Sequence, residues 1–223
     1  MGGRVGSITT EIIADGLVFN MDAANKASYI PNATTSFDTI NNLSGSFENG
    51  VTFVSSSFST KSWLFDESDD KIKVEVNSDY KVGDYTIQFW IKDNSSDGNN
   101  FVMGGVNGFG VDINYGSLRL PRAGWPDNNI SAGNSDKGYW RNFAFTGNRT
   151  TGVLKSYKTG SFASTVTNNT WSDNTRYIQY FGADRLGNNY YGGLIANFVM
   201  YNRVLSDNEV LHNYNSLKGR FGL

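Results

Sequence analysis

Two short segments combine aromatic, amide and guanidinium side chains in the way that a sugar-binding loop requires. The first covers residues 122–129 (RAGWPDNN) and the second covers residues 184–191 (DRLGNNYY). An aromatic ring can stack on the face of a sugar ring, while amide and guanidinium groups hydrogen-bond to the hydroxyls. The predicted carbohydrate-binding residues are Arg122, Trp125, Asn128, Asn189, Tyr190 and Tyr191. In the alternative interpretation, Trp125 packs as a lid and the two tyrosines begin a strand.

The acidic residues do not form the pair that glycoside hydrolysis needs. Such an enzyme holds two carboxylates roughly 5 to 10 Å apart across the scissile bond, and acidic residues at alternating positions of a strand would supply them. None of the predicted strands has that pattern, since Glu75 stands alone and Glu209 belongs to a helix cap. A Ser-His-Asp triad would have to use the one histidine, His212, which falls inside a predicted helix. We therefore predict no catalytic residues.

The composition argues against several classes of partner. The chain has 19 Lys and Arg against 21 Asp and Glu, and its basic residues are scattered, whereas nucleic-acid binding needs them clustered. No apolar segment approaches the roughly 20 residues that cross a bilayer. The absence of cysteine removes disulfides and thiol chemistry, and a single histidine leaves no usual zinc site. We expect neither nucleic acid nor a membrane as a partner.

Short strands must position these residues. The chain has 15 Phe, 12 Tyr and 5 Trp, enough to fill a core, and abundant Asn, Ser, Thr and Gly favour turns between strands. The clearest strand is Tyr85–Ile91, in which every second residue from Tyr85 is apolar. Trp90 interrupts this alternation because it falls on the polar side. Further strands are predicted near residues 17–22, 47, 51–53, 62–65, 71–76, 109–115, 118–120, 139–146, 153–157, 176–181 and 194–201.

One helix is predicted at the end of the chain. Ser206 and Glu209 have the spacing of a capping box, in which each side chain accepts a hydrogen bond from a free amide of the first turn. An apolar face follows at helical spacing, and Gly219 stands where a left-handed residue ends many helices. The residues of that face are Val210, Leu211, Tyr214 and Leu217.

Four segments in order resemble the laminin G-like family of the concanavalin A-like superfamily, in the form found in structural proteins of tailed bacteriophages. These segments are 15–25 (DGLVFNMDAAN), 63–72 (WLFDESDDKI), 85–91 (YTIQFWI) and 193–209 (GLIANFVMYNRVLSDNE). In the second segment, Glu67 stands where the family pattern has glycine. The closing pattern needs a β-bulge near residues 196–197 if its apolar residues are all to face the core.

The resemblance implies an all-β fold, a two-sheet antiparallel jelly-roll sandwich with one short C-terminal helix. Residues 15–223 would form this domain and residues 1–14 an N-terminal arm. The implied function is that of a non-enzymatic virion structural protein of a tailed bacteriophage, as a capsid decoration, fibre or tail component. Its partners would be other virion proteins and copies of itself. The alternative is a lectin-like module that binds carbohydrate on the host surface, and the third hypothesis is a glycoside hydrolase.

Two further expectations accompany the resemblance. Laminin G-like modules often bind calcium at the edge of the sandwich, which makes Asp66, Asp69 and Asp70 candidate ligands. Alternatively, these carboxylates accept backbone amides in a tight turn. In a virion protein, the arm would attach the domain to neighbouring copies, with Ile12 and Ile13 as apolar anchors. No other cofactor is expected.

Overall fold

The strands form two antiparallel sheets, as predicted for a jelly-roll sandwich. The computed structural model describes residues 12–55, 60–75, 83–106, 109–120, 130–167 and 177–223. The first sheet contains β1 (Leu17–Asp22), β4 (Thr52–Ser55), β5 (Lys61–Asp66), β7 (Tyr85–Asp93), β12 (Trp140–Gly147), β13 (Val153–Lys158), β14 (Ser161–Thr167) and β16 (Gly192–Tyr201). The second sheet contains β2 (Thr35–Phe37), β3 (Ser44–Glu48), β6 (Lys71–Val74), β8 (Asn99–Gly105), β9 (Gly110–Asn114), β10 (Ser117–Leu120), β11 (Ile130–Asn134) and β15 (Ile178–Phe181).

The order of strands places sequence-distant segments side by side. The first sheet runs β14-β13-β12-β7-β16-β5-β4, with β1 also paired to β16. The second runs β11-β10-β9-β8-β15-β6-β3-β2. Along these paths β4 is a terminal strand of the first sheet and β2 of the second, so two sheet edges lie at the β4 and β2 ends.

Strand β7 is buried on both faces, which explains why Trp90 interrupts its alternation. Ile87 and Phe89 belong to the core between the sheets. Trp90 points to the other face, where its ring stacks on Phe221 with 4.0 Å between centroids and 9° between planes. The outer face of this sheet is therefore covered by the C-terminal segment, and a second apolar layer replaces solvent there.

The predicted bulge in β16 is confirmed. Its register against β7 shifts between Ile195 and Asn197. The extra residue changes the parity of the strand, so that Ile195, Phe198 and Met200 all join the core between the sheets. Ala196 faces the layer beneath the C-terminal segment.

The C-terminal helix α1 (Asp207–Lys218) begins at the predicted capping box, with both hydrogen bonds between Ser206 and Glu209 present. Two details of the prediction are wrong. Leu211 is 40% exposed rather than part of the buried face. Gly219 is right-handed (φ −61°) and continues into a 3-10 helix, Gly219–Phe221, that ends at the left-handed Gly222 (φ 73°). This extra turn carries Phe221 onto the sheet, and that contact outweighs the local tendency of glycine to end a helix.

Ile12 and Ile13, the predicted anchors for assembly, are half-buried and pack against their own domain. Their role in assembly stays a prediction. Each contacts an apolar cluster beneath α1. The amide of Ile13 donates to Asn213 Oδ1 at 2.8 Å, and the hydroxyl of Tyr201 donates to the carbonyl of Ile13 at 3.0 Å. Residues 1–11 of the predicted arm lie outside the described residues. Within the described ranges, no helix has the length and apolarity that a bilayer crossing requires.

Candidate functional site

Four connecting segments meet at one end of the sandwich, which we call the loop rim (residues 49–50, 66–70, 94–98 and 184–191). The side-chain amide of Asn49 donates to the carbonyl of Asp69 at 3.0 Å. The side-chain amide of Asn100, at the start of β8, donates to the carbonyl of Tyr190 at 2.9 Å. These bonds join segments from both sheets, so the loop rim is a continuous surface rather than a set of separate turns.

Glu67 links its own segment to the segment 94–98 and to the start of β8. Its carboxylate accepts hydrogen bonds from the backbone amide of Ser96 at 2.8 Å, the hydroxyl of Ser96 at 2.5 Å and the side-chain amide of Asn100 at 2.7 Å. The backbone of Glu67 is left-handed (φ 69°), a conformation that glycine adopts without steric cost. Glycine, which the family pattern of the sequence resemblance has at this position, would adopt this backbone freely, whereas here a carboxylate stands in its place and binds Ser96 and Asn100.

The segment 184–191 is held in one conformation by Asp184, which is 9% exposed. Its carboxylate accepts hydrogen bonds from the amides of Leu186 and Asn188 and from the side chain of Asn189, at 2.7 to 2.9 Å. Gly187 is left-handed (φ 76°) and allows the turn. Asn188 and Asn189 remain exposed on this ordered loop. A polar surface fixed in advance loses little entropy when it binds a ligand.

Tyr190 and two residues that the sequence analysis did not predict form a tyrosine–lysine patch (Lys71, Tyr180, Tyr190). The ammonium group of Lys71 lies 5.8 Å from the ring centroid of Tyr180 and 5.6 Å from that of Tyr190. A carboxylate oxygen of Glu48 lies 3.7 Å from the Lys71 ammonium group. Both tyrosines are half-buried. The patch therefore presents two aromatic rings and a cation whose position these rings restrict.

Tyr191 is not a surface residue, which corrects its prediction as a carbohydrate contact. Its side chain is fully buried and lies beside Phe65, with ring centroids 6.1 Å apart. Its amide donates to the carbonyl of Gly182 at 2.9 Å, and this bond turns the ring into the core. Burial raises the pKa of its hydroxyl well above the ordinary value. Arg122, Trp125 and Asn128 lie outside the described residues, so of the predicted set Asn189 and Tyr190 are placed at the rim.

The carboxylates of Asp66, Asp69 and Asp70 come together, with oxygen atoms within 4.8 Å of one another. They also cap the turn, because Asp66 accepts the amide of Ser68 at 2.8 Å and Asp70 accepts the amide of Asp66 at 3.0 Å. The backbone bond from Ser68 lowers the pKa of Asp66, whereas burial raises the pKa of Asp70. Asp70 is 3% exposed, and its Oδ1 atom has no hydrogen-bond partner within the described part of the chain. Oxygen donors of this kind fit calcium.

The family can be assigned from the sequence of the domain. Residues 66–211 match the model of the family described as the concanavalin A-like lectin/glucanases superfamily. The chain belongs to this superfamily. No curated protein sequence matches it.

Solved structures share the lectin-like sandwich at low sequence identity. The binding domain of botulinum neurotoxin DC, in complex with SialylT, has a TM-score of 0.69 and 19% identity over 92% of this chain and 52% of its own. The binding domain of Paraclostridial Mosquitocidal Protein 1 has a TM-score of 0.67 and 20% identity, over 91% of this chain and 52% of its own. Trypanosoma rangeli sialidase, in complex with sialic acid, has a TM-score of 0.70 and 16% identity over 93% and 34%.

These likenesses show the fold and include both binding domains and an enzyme. The chain spans about half the length of the toxin binding domains and about a third of the sialidase. The activities of those whole proteins therefore do not transfer to it directly.

Proposed function

We propose that this chain is a carbohydrate-binding module that adheres to a glycan-bearing surface. The observation that carries the proposal is the tyrosine–lysine patch beside the segment 184–191, in which Asn188 and Asn189 are exposed. Aromatic rings can stack on a sugar ring, while the ammonium group and amides hydrogen-bond to its substituents. The fold adds support, because structures similar to this chain include one of botulinum neurotoxin type C, whose cell entry is described as dependent upon interaction with two ganglioside molecules.

The proposed role is binding without catalysis. The carboxylates of Asp66, Asp69 and Asp70 lie in a single turn, and those of Asp66 and Asp70 accept hydrogen bonds from its backbone. A glycoside hydrolase instead holds its two carboxyl groups on opposite sides of the scissile bond. This arrangement favours a structural or cation-binding role for the cluster. The location in a phage particle, with virion proteins and copies of the chain as partners, stays a prediction from the sequence resemblance.

A glycan array with matched variants tests the proposal. We expect the wild-type protein to be retained on a subset of glycans and Tyr190→Ala to lose at least about tenfold in affinity, because the stacking surface is removed. Phe162→Ala is the control, since it removes a 51% exposed aromatic ring from β14, outside the patch. Lys71→Met keeps most of the apolar stem and should weaken binding of acidic glycans more than of neutral ones. Equal retention of Tyr190→Ala and wild type would refute the site, and no retention of wild type would refute the function.

A further inference from the structure

A groove lies on the opposite face of β3 from the tyrosine–lysine patch. Glu48 points toward Lys71, whereas its neighbour Phe47 points inward and lines a groove of about 440 Å³, as expected for successive residues of a strand. The groove opens between β3 and the terminal strand β4. Its volume falls within the range of about 300–1,000 Å³ that is common for small-molecule sites.

Three aromatic rings form the floor of this groove. Tyr29 stacks on Phe47 with 5.5 Å between centroids and 16° between planes, and lies 4.9 Å from the centroid of Phe53. Trp63 meets both Tyr29 and Phe47 edge-on, at 6.2 and 6.3 Å. Tyr29 is 4% exposed and donates its hydroxyl to the carbonyl of Ala33 at 3.2 Å. The floor is therefore a packed aromatic surface that a ligand does not have to assemble.

Polar but uncharged side chains border the floor. Asn32, Thr34 and Thr52 line the groove and are exposed. None of the described residues that line the groove is charged, so an ionic ligand would lose hydration without gaining a counter-charge from them. An apolar ligand would use the rings and leave the amide and hydroxyls to water. A neutral ligand with one apolar face and several hydroxyls would satisfy both parts.

We propose that this groove binds a neutral pyranose ring, as a glycan subsite separate from the tyrosine–lysine patch. The ring would stack on the floor at Phe47 and Phe53, and its hydroxyls would bond to the bordering amide and hydroxyl groups. The inference shares its ligand class with the proposed function but depends on different residues. Two subsites on one domain raise the apparent affinity for a glycan that reaches both.

Saturation-transfer NMR with methyl glycosides of glucose, galactose, mannose and N-acetylglucosamine tests the groove directly. A single neutral ring should bind with a dissociation constant of about a millimolar, as expected for so few ligand atoms. Thr52→Arg places a long charged side chain at the groove and should weaken this binding at least about tenfold. Thr167→Arg makes the same change at an exposed position of β14 and should leave binding unchanged. All of these proteins are compared in a Tyr190→Ala background, so that the tyrosine–lysine patch does not contribute to the signal.

A second variant controls for non-specific effects of the introduced arginine side chain. Phe53→Leu keeps an apolar side chain but removes the stacking face, so it should also weaken binding while the melting temperature stays within a few degrees. Equal binding with threonine and with arginine at position 52 would overturn the inference. A failure of all four methyl glycosides to bind would overturn it as well. Saturation of benzyl alcohol without saturation of any sugar would instead assign the groove to an apolar side chain of a protein partner. If Tyr190→Ala loses binding on the glycan array while Thr52→Arg and Phe53→Leu keep it, the proposed function stands and the groove is refuted as a glycan subsite.

Discussion

Replacing Glu67 tests whether a carboxylate holds the loop rim against an unfavourable backbone conformation. The left-handed backbone of Glu67 (φ 69°) costs an L-residue about 1–2 kcal/mol. Hydrogen bonds from Ser96 and Asn100 act in the opposite direction. A hydrogen bond contributes about 0.5–1.5 kcal/mol net, and because Ser96 is exposed we take about 1 kcal/mol for each of the three bonds.

Alanine and glycine at this position separate the two effects. Glu67→Ala removes the hydrogen bonds and keeps the strain, so the free energy of unfolding should fall by about 2–4 kcal/mol. Glu67→Gly also removes the strain and should be about 1 kcal/mol more stable than Glu67→Ala. Urea-induced unfolding followed by tryptophan fluorescence measures both values.

The control for Glu67 is Glu48, which lies in the regular strand β3. The glycine variant should be less stable than the alanine variant there, because an extended strand backbone restricts glycine and does not need a left-handed conformation. The sign of the difference between alanine and glycine should therefore reverse between the two positions. Equal or greater stability of Glu67→Ala relative to Glu67→Gly would refute the argument from strain. Unchanged stability in both Glu67 variants would refute the role of the hydrogen bonds.

Three further predictions concern charged groups. Arg220→Ala should lower the free energy of unfolding by about 3–5 kcal/mol. The buried carboxylate of Asp22 would lose the two hydrogen bonds of 2.8 and 2.9 Å that it accepts from Arg220. A decrease in melting temperature of less than about 2 °C would contradict this prediction. Hydrogen bonds from Arg203 and from the backbone amide of Ser206 lower the pKa of Glu209 from 4.5 to about 2. Glu209 therefore stabilises the fold above its unfolded pKa, and this contribution is lost as pH falls toward the folded value. Glu209→Gln should therefore flatten the acid side of the stability curve, and an unchanged slope would count against the ion pair. Calcium should raise the melting temperature of metal-free wild type but not of Asp70→Asn, and wild type that does not respond would exclude calcium from this cluster.

The sequence predicts the sandwich well where one face of a strand is buried and its residues alternate. It does not predict β2, β8, β11 or β14. Four of the seven residues of β14 (Ser161–Thr167) are serine or threonine, and most of the strand is exposed. An edge strand of this kind is held by backbone pairing with β13, and its side chains carry no apolar period that could be recognised. Trp90 interrupts the alternation of β7, and Gly219 does not end the helix in a left-handed conformation. Both departures from the local sequence pattern follow from the contact between the C-terminal segment and the first sheet.

The candidate site is only partly predictable, since its members come from strands that pair over long separations. Tyr180 of β15 lies opposite Lys73 of β6, which brings Lys71 beside the loop of Tyr190, and nothing in the local sequence indicates this pairing. Tyr190 and Tyr191 show a second limit. They are neighbours of the same type in an irregular segment, where no period of two or 3.6 tells which ring is buried.

The unequal covering of the two sheets restricts where a glycan can bind. Helix α1 and the turn after it bury Trp90 and Val199 on the outer face of the first sheet. A ligand there would have to displace the stacked ring of Phe221. On the second sheet, Lys73 is exposed and Tyr180 half-buried on the outer face. Glycan contact without loss of packing is therefore available beside β6 and β15 and at the open groove by β4, which are the two positions proposed above.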